Sequence, residues 1–345
     1  MASITKLVST AVAGLNPRQK EVIYARFGLD SVSGKGGQTL AAIGEKLHVT
    51  RERVRQIENG AIVVIKRNIG RSPELESALA KIAKFIAAKG GIAKKSEVVR
   101  YAATIAAGAK ENHIDFLADA SGIFHLYRED DAFHPFYYVT EKDLKNARTF
   151  VEGWVAFLKN RKDKVFAESY EVQLAGFMKT KAIEGEIAEN YLSVSKHIHK
   201  NPYGDTGLRE WPEISPATVR DKIYLVLKKN GEPLHFEDIA RHINLAKFDA
   251  EKALAPTVHN ELIKDNRFVL VGRGLYGLQE HGYEPGTARE VISKILKTKG
   301  AMNTAEVMEA VNKQRFFKPN TILINLQNRN FFERMPDGKY RVRES

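Results

Sequence analysis

The 345-residue sequence contains no cysteine. This absence excludes disulfide bonds, thiolate metal sites and cysteine nucleophiles, and it fits a reducing cytoplasm. Any metal site would need histidine and carboxylate ligands. Acidic residues are also outnumbered, because 42 Asp and Glu stand against 54 Lys and Arg, a formal charge of +12. Such an excess favours a polyanionic partner, since cations on a protein displace counterions from phosphates.

Long hydrophobic runs are missing as well, and no segment approaches the ~20 apolar residues of a membrane-spanning helix. We therefore expect no membrane contact. The apolar run at residues 7–13 follows Lys6 and ends in small residues, as the cleavage site of a secretion signal does. The run is short, contains Ser9 and Thr10, and leads directly into a helix start. We therefore interpret it as part of the folded protein.

More than half of the excess positive charge lies at the N-terminus. Residues 1–72 hold 12 Lys or Arg and 5 Asp or Glu, a net of +7. A helix should begin at Pro17, because Asn16 is a good N-cap and Gln19 sits where a capping box needs it. This helix should end near Phe27, before a glycine.

Two further helices should form a helix-turn-helix unit. A Ser- and Gly-rich loop at residues 31–37 precedes a short helix over residues 39–47, and a tight turn then leads to a new N-cap at Thr50. We expect small Gly44 where the two helices approach most closely. The last helix, from Arg51 to about Lys66, has an apolar stripe with a 3.6-residue period. The stripe consists of Val54, Ile57, Ala61, Val64 and Ile65.

The other face of this last helix carries residue types that read DNA. The first turn of such a helix enters the major groove, where Arg suits guanine, Gln suits adenine and Glu accepts from cytosine. Flanking Arg and Lys side chains bind phosphates. The predicted DNA-binding residues are Thr50, Arg51, Glu52, Arg53, Arg55, Gln56, Asn59, Lys66 and Arg67.

This part of the sequence resembles region four of the housekeeping sigma factors. The resemblance covers residues 15 to about 67 and is strongest over residues 50–58. It implies a DNA-binding protein of bacterial transcription initiation or regulation, in which Arg51, Glu52 and Gln56 read the upstream promoter element. It places Arg53 and Arg55 near the backbone or adjacent bases. It also implies that the first helices grip the flap of the RNA polymerase beta subunit.

Two departures from this family matter. The loop before Thr39 is longer and richer in glycine than usual, and residues 62–65 are apolar where a more basic helix end is usual. We expect this end to pack against the next domain. The sequence also shows no counterpart of the aromatic-rich helical domain that melts promoters. We therefore expect that the chain does not open promoters alone.

From residue 73 onward a looser pattern recurs about every seventy residues, which is typical of small tandem domains. Amphipathic helices should begin near Leu75, Lys142, Ala217 and Thr287. Three copies end in two short aromatic strands, the last of them at residues 137–139, 276–278 and 340–342. Helices followed by a β-hairpin describe a winged helix, and the turns of two hairpins are expected at residues 272–274 and 337–338.

The copy at residues 217–279 resembles the HARE-HTH family in the segments 219–222, 233–236 and 267–278. Winged helices of that family occur in the RNA polymerase delta subunit and in chromatin-associated proteins. The resemblance implies a role near DNA or polymerase and assigns no binding residues. Arg273 lies at a predicted wing tip, where it either enters a minor groove or is solvated.

The sequence thus predicts a mainly α protein with small β-hairpin wings, in which an N-terminal helix-turn-helix is followed by tandem winged-helix domains. The expected domains are a sigma region-four-like unit at 1–71, a winged-helix-like unit at 72–140, a degenerate copy plus linker at 141–216, a HARE-HTH-like unit at 217–281 and a C-terminal winged helix at 282–345.

No residue cluster indicates catalysis. Residues 272–277 spell the dinucleotide fingerprint, but a strand leads to a strand there, without the helix that faces pyrophosphate. His197 and His199 are expected on a helix, where residues two apart point in different directions and cannot share a metal well. We therefore expect no enzyme, no cofactor, no metal and no small-molecule substrate.

Two functional hypotheses remain. The first is a cytoplasmic, nucleoid-associated protein that binds double-stranded promoter DNA and contacts the RNA polymerase core. The alternative is a polymerase-associated adaptor, similar to the delta subunit, that binds protein rather than specific DNA. Which winged helices touch DNA and which touch protein is open, because such domains serve both purposes.

Overall fold

The computed structural model describes residues 2–30, 37–283, 285–315 and 317–343. The fold is mainly helical with small sheets of two or three strands, as expected. It separates into two compact units, Met1–Ile198 and His199–Ser345. All but the last residue of the predicted loop 31–37 lies outside the described residues. Among the described residues, no helix is both long and apolar enough to cross a membrane.

The N-terminal unit begins with a two-residue strand and four helices. They are β1 (Ala2–Ser3), α1 (Ile4–Ala11), α2 (Pro17–Phe27), α3 (Leu40–Lys46) and α4 (Arg51–Ile69). Most of the apolar run that resembles a secretion signal belongs to α1, and Leu7 and Val8 are buried there in the main core of this unit.

Helix α2 has the predicted start and end. Its N-cap, Asn16, accepts from the backbone of Gln19, and the Gln19 side chain accepts from the backbone of Asn16, so the capping box is confirmed. Gly28 ends the helix in the left-handed conformation, with φ 61°. Helix α4 is one turn longer than predicted, because Ile69 is also buried in the core.

The next part of the chain has the first copy of an element order that recurs later: helix, short strand, two helices, then a hairpin. Its elements are α5 (Pro73–Ala88), β2 (Ile92–Lys94), α6 (Lys95–Ile105), β3 (Ala106–Ala107), α7 (Glu111–Ser121), β4 (His125–Tyr127) and β5 (Phe136–Tyr138). Strands β2, β5 and β4 form an antiparallel sheet in that order, and β3 pairs in parallel with β1.

One hydrophobic core spans the predicted boundary between residues 71 and 72. Ile65 and Ile69 of α4 belong to the same buried cluster as Leu75 and Leu79 of α5 and Phe116 of α7. Of the apolar end of α4, Ile62 and Ile65 pack in this core, as expected, whereas Val63 is 69% exposed. The division into five domains stays a prediction.

Four helices complete this unit, namely α8 (Glu141–Lys159), α9 (Lys162–Glu168), α10 (Tyr170–Lys181) and α11 (Gly185–Ser193). Helix α11 is fastened to the turn after α5. The Asn190 amide donates to the carbonyls of Lys89 and Ile92, both at 2.8 Å, and the Tyr191 hydroxyl donates to that of Gly90 at 2.7 Å. The helices that follow residue 140 are therefore part of the same compact unit.

The C-terminal unit contains the same element order twice. The first copy consists of α12 (Val219–Asn230), β8 (Leu234–His235), α13 (Phe236–Ala246), α14 (Ala255–Lys264), β9 (Phe268–Gly272) and β10 (Leu275–Leu278). It follows a short hairpin of β6 (Ile198–Lys200) and β7 (Thr206–Leu208). The sheet order is β8, β10, β9, and the predicted turn at residues 272–274 joins β9 to β10. A 3-10 turn, Gln279–His281, follows.

The second copy consists of α15 (Ala288–Lys299), α16 (Thr304–Asn312), α17 (Pro319–Leu326), β11 (Phe332–Arg334) and β12 (Tyr340–Val342). A single bridge between Met302 and Tyr340 takes the place of the short strand. The predicted turn at residues 337–338 joins β11 to β12.

The prediction of a helix around His197 and His199 is wrong. His199 lies in strand β6, and His197 lies in the bend before it. The chain leaves α11 at Ser193, and extended backbone begins at Ile198 so that β6 pairs with β7. Pairing between β6 and β7 determines the extended conformation of this segment, and the sequence pattern did not indicate that pairing.

We predict that residues 1–71 alone are much less stable than residues 1–198. The short fragment exposes Ile65 and Ile69, and burial of one such side chain contributes about 1.5–3 kcal/mol. Losing several approaches the whole stability of an ordinary domain, about 5–15 kcal/mol. Thermal unfolding followed by circular dichroism measures the difference. Equal unfolding midpoints for the two fragments would contradict the role of the shared core.

Candidate nucleic-acid interface

Helices α3 and α4 pack across a short turn, as a helix-turn-helix unit requires. Val22, Ile43 and Val54 form a small buried cluster, one residue from each of the helices α2, α3 and α4. Leu47 and Val49 pack against it from the turn. The apolar spacing predicted for this unit is confirmed.

The close approach at Gly44 is also confirmed. A Cβ atom at this position would lie 2.7 Å from the carbonyl oxygen of Val49, which is too short for any side chain. His48, in the turn, has φ 53°, a left-handed conformation in which a glycine would be unstrained. The Thr50 hydroxyl then accepts from the Arg53 backbone at 3.2 Å and starts α4.

Helix α2 fastens both α3 and α4 through two arginines. The Arg18 guanidinium donates to the carbonyl of Leu47 at 2.7 Å, at the end of α3. The Arg26 Nε atom lies 3.1 Å from Glu58 Oε1 on α4, and its Nη1 donates to the carbonyl of Gln38 at 3.0 Å. Both residues of the Arg26–Glu58 pair are mostly buried. The sequence reasoning did not identify these supporting residues, because the partners lie 12 to 32 positions away.

Helix α7 holds the same module from the other side. The Asn112 amide, almost fully buried, donates to the carbonyl of Gly28 at 2.7 Å. The rings of Phe27 and Phe116 meet edge to face with centroids 5.4 Å apart. The end of α2 is thus covered, and α4 also packs on α7. These contacts fix the direction in which α4 points.

The predicted reading face of α4 is exposed within its unit. Arg51, Glu52, Arg53, Arg55 and Gln56 are all exposed, while Val54, in their midst, is completely buried. The residues on the first two turns can therefore meet a ligand without any change in the packing of the helix.

These exposed side chains form two pairs with each other. Arg55 meets the Glu52 carboxylate through two contacts, at 2.7 and 2.9 Å, and Arg53 Nη1 donates to Gln56 Oε1 at 3.1 Å. The hydrogen bond from Arg55, followed by the positive charges of Arg55 and Arg51, lowers the pKa of Glu52. Because they are solvated, such pairs are weak and exchange readily for contacts with a ligand.

The remaining predicted residues lie farther along α4. Asn59 and Lys66 line a groove of about 1100 Å³ between α4, α7 and strand β4. Acidic residues line the same groove, namely Glu58, Glu111, Asp115, Asp119 and Glu129. Arg67 is exposed. Arg26, Lys95 and Arg128 line it too, and Arg26 pairs with Glu58, so the groove beside this half of α4 has mixed charge.

Two exposed residues next to the reading face were not predicted. Lys46 ends α3 and His48 lies in the turn, and both are exposed. The first helix of a helix-turn-helix crosses the DNA backbone, so a basic residue at its end is a candidate phosphate contact. The charge of Lys46 and its place just before the turn are the sequence signals that point to it.

Residues 11–67 match the family model for sigma-70, region 4. This region 4 segment agrees with the resemblance inferred from the sequence. It is 49% identical over 55 residues to the RNA polymerase sigma factor RpoD of Helicobacter pylori, covering 16% of this chain and 8% of that protein. It is 42% identical over 65 residues to SigA of Clostridium acetobutylicum, covering 19% and 16%. The similarity to the sigma-B factor of Nostoc is 40% over 60 residues, covering 17% of each chain.

The chain therefore spans less than a fifth of the length of these sigma factors. The region 4 segment contains helices α2, α3 and most of α4, so the similarity coincides with the helix-turn-helix and its supporting helix. The exposed residues of the first two turns of α4 all lie inside it.

We predict that Gly44→Ala destabilises the protein by about 1–3 kcal/mol, because the new methyl group overlaps the Val49 carbonyl and separates α3 from the turn. Urea unfolding of the full chain measures the change. Gly60→Ala is the matched control, since the nearest atom to its Cβ would be the flexible Gln19 side chain at 3.5 Å. A Gly44→Ala protein as stable as the control would refute this account of the turn.

We also predict that the Glu52 carboxyl titrates below the ordinary glutamate value of 4.5, because Arg55 stabilises its charged form. The charged pair is then intact at neutral pH and is lost only as the pH falls through the lowered pKa. Carbon-detected NMR titration of the side-chain carboxyl measures this. Arg55→Ala should move the midpoint upward, and an unchanged midpoint would show that the pair does not form in solution.

Proposed function

We propose that this protein recognises upstream promoter DNA through the first two turns of α4 and acts in transcription initiation or its regulation. The observation that supports this most directly is the exposure of Arg51, Glu52 and Gln56 on a helix whose opposite side is buried. The similarity of residues 11–67 to region 4 of sigma-70 factors supports the same role.

In this proposal the side chains divide into base readers and phosphate contacts. Arg51, Glu52 and Gln56 read base edges in the major groove, where Arg pairs with guanine, Gln with adenine and Glu with cytosine. Arg53 and Arg55 bind the backbone or adjacent bases, and Lys46 binds the phosphates beneath α3. The two pairs among these side chains open when DNA provides better partners.

We further propose contact with RNA polymerase, because the similar proteins are RNA polymerase sigma factors. A beta-flap contact through the first helices must use the side of α2 that α7 does not cover. That side presents Lys20 and Glu21 at the edge of an open cavity of about 820 Å³ between α2 and α3. The proposal includes no promoter-melting and no catalytic role.

The three repeated units are proposed to be winged helices, with the copy at residues 217–281 of the HARE-HTH type. Support comes from their common order of helix, short strand or bridge, two helices and hairpin, in which the first strand pairs with the last. In this scheme the protein is cytoplasmic and nucleoid-associated, and the units contact neighbouring DNA or polymerase.

One observation favours the alternative, a polymerase-associated adaptor. The copy at residues 217–281 exposes several large apolar side chains, among them Leu245 at 71%, Leu254 at 64% and Ile263 at 64%. Exposed apolar side chains are typical of protein contacts when they form a patch. Selection from random duplexes separates the two functions, because an adaptor enriches no DNA motif while it still retains polymerase in a pull-down.

We predict that Arg51→Ala and Gln56→Ala each weaken binding to the selected site by about 1–3 kcal/mol and relax base preference at one position, because each removes a contact to a base edge. Fluorescence anisotropy with the selected duplex and its single-base variants measures both effects. Lys84→Ala, an exposed charge on α5, is the control. Unchanged affinity and base preference in both α4 variants would end the proposal.

A further inference from the structure

Three segments share the order of helix, short strand or bridge, two helices and hairpin, namely residues 73–138, 219–278 and 288–342. We call each of these segments a unit, and the three units differ in their third helix. In the first unit this helix is α7, whose Phe116 is buried against Phe27 and whose Asn112 holds the end of α2. Among the residues of α7 that are not buried are Glu111, Asp115 and Asp119. Glu111 and Asp115 pair with Lys95, and α7 itself contains no Lys or Arg. Because this helix is also packed against α2, it is unsuited to DNA.

The third helix of the next unit, α14, has a different surface. It contains one acid, Glu261, which pairs with Arg220. Ile263 on this helix is exposed, and so is Leu254, which directly precedes the helix. Apart from one histidine, Lys264 is the only basic residue of the helix. This surface is more apolar than cationic, so phosphate has little to bind there.

The last unit is the exception. Between Glu309 and Glu333 the sequence has no acidic residue, and this interval includes the whole of α17. Basic residues border α17 and occupy the β11–β12 hairpin, and all of the following are exposed: Lys318, Arg329, Arg334, Lys339, Arg341 and Arg343.

The hairpin's two acids do not cancel this charge. Glu333 pairs with Arg341 at 2.8 Å, and Asp337 lies 3.8 Å from Lys339. Within the part of the chain that the structure describes, Lys318, Arg329 and Arg334 have no acidic partner. A concentration of cations without counter-charges is the feature that phosphate backbones attract.

We propose that the last unit is a second DNA-binding site, which binds the phosphate backbone of duplex DNA through α17 and the β11–β12 hairpin. This inference rests on the proposed function, since DNA held by α4 raises the local concentration of duplex around a tethered unit. The site contributes affinity for any sequence, while α4 supplies the base preference.

The test compares full-length proteins that lose two positive charges at different places. Lys318→Ala with Arg334→Ala removes one charge beside α17 and one from the hairpin. Lys297→Ala with Lys299→Ala is the matched control at the end of α15, where Lys299 interacts with Glu309. Binding to the selected duplex and to an unrelated duplex is measured over a range of salt concentrations, and thermal melts check that both proteins are folded.

We expect the first double variant to bind both duplexes more weakly and to make the salt dependence shallower by about 2, since each phosphate contact contributes about 0.9 to that slope. The base preference should stay unchanged, and Lys318→Arg with Arg334→Lys should restore the slope. Affinity and slope equal to those of the control would overturn the inference. So would a loss of polymerase retention with DNA binding unchanged, which would assign the surface to a protein partner.

Two further variants separate this outcome from the fate of the proposed function. Arg51→Ala and Gln56→Ala are measured on the same duplexes. If they change base preference while the C-terminal variant matches its control, promoter recognition stands and the second site is refuted. If they change nothing while the C-terminal variant flattens the salt dependence, the second site stands and recognition by α4 is refuted.

Discussion

The packing of α7 against α2 and α4 is the contact on which the proposed DNA-reading surface depends. It buries Phe116, engages the carbonyl of Gly28 through Asn112, and leaves the first two turns of α4 exposed. A recognition helix must be rigid to place long side chains against base edges within hydrogen-bonding distance. Here α7 contributes this rigidity from the same core, because the small cluster around Val54 contains only three buried residues among those described.

Segments with the same order of elements therefore have different roles along the chain. Helix α7, the third helix of the first repeat, supports α4, and its residues Glu111, Asp115 and Asp119 line the groove beside Lys66. The equivalent helix of the last unit lies in a stretch without acids. The order of helices and hairpin is the same in both cases, so the side chains on the third helix decide what each repeat can bind. Charge, more than fold, distinguishes these units.

Local signals predicted the N-terminal elements well and the supporting contacts poorly. The bounds of α2, its capping box and the close approach at Gly44 depend on residues only a few positions apart. The contacts of Arg26 with Glu58 and of Asn112 with Gly28 join residues 32 and 84 positions apart, and no periodicity announces them. The helix expected around His197 was wrong for a related reason, since pairing with β7 made the segment extended.

By itself the sequence determined the helix-turn-helix, its exposed basic face and the order of the later units, because caps, apolar periods and turn residues act over one or two turns of chain. Only the tertiary structure decided that α4 shares its core with α5 and α7, that Asn59 and Lys66 line a groove of mixed charge, and which of the described cations pair with acids. Burial and charge pairing depend on residues brought together from distant positions, and these distances are set when the whole unit packs.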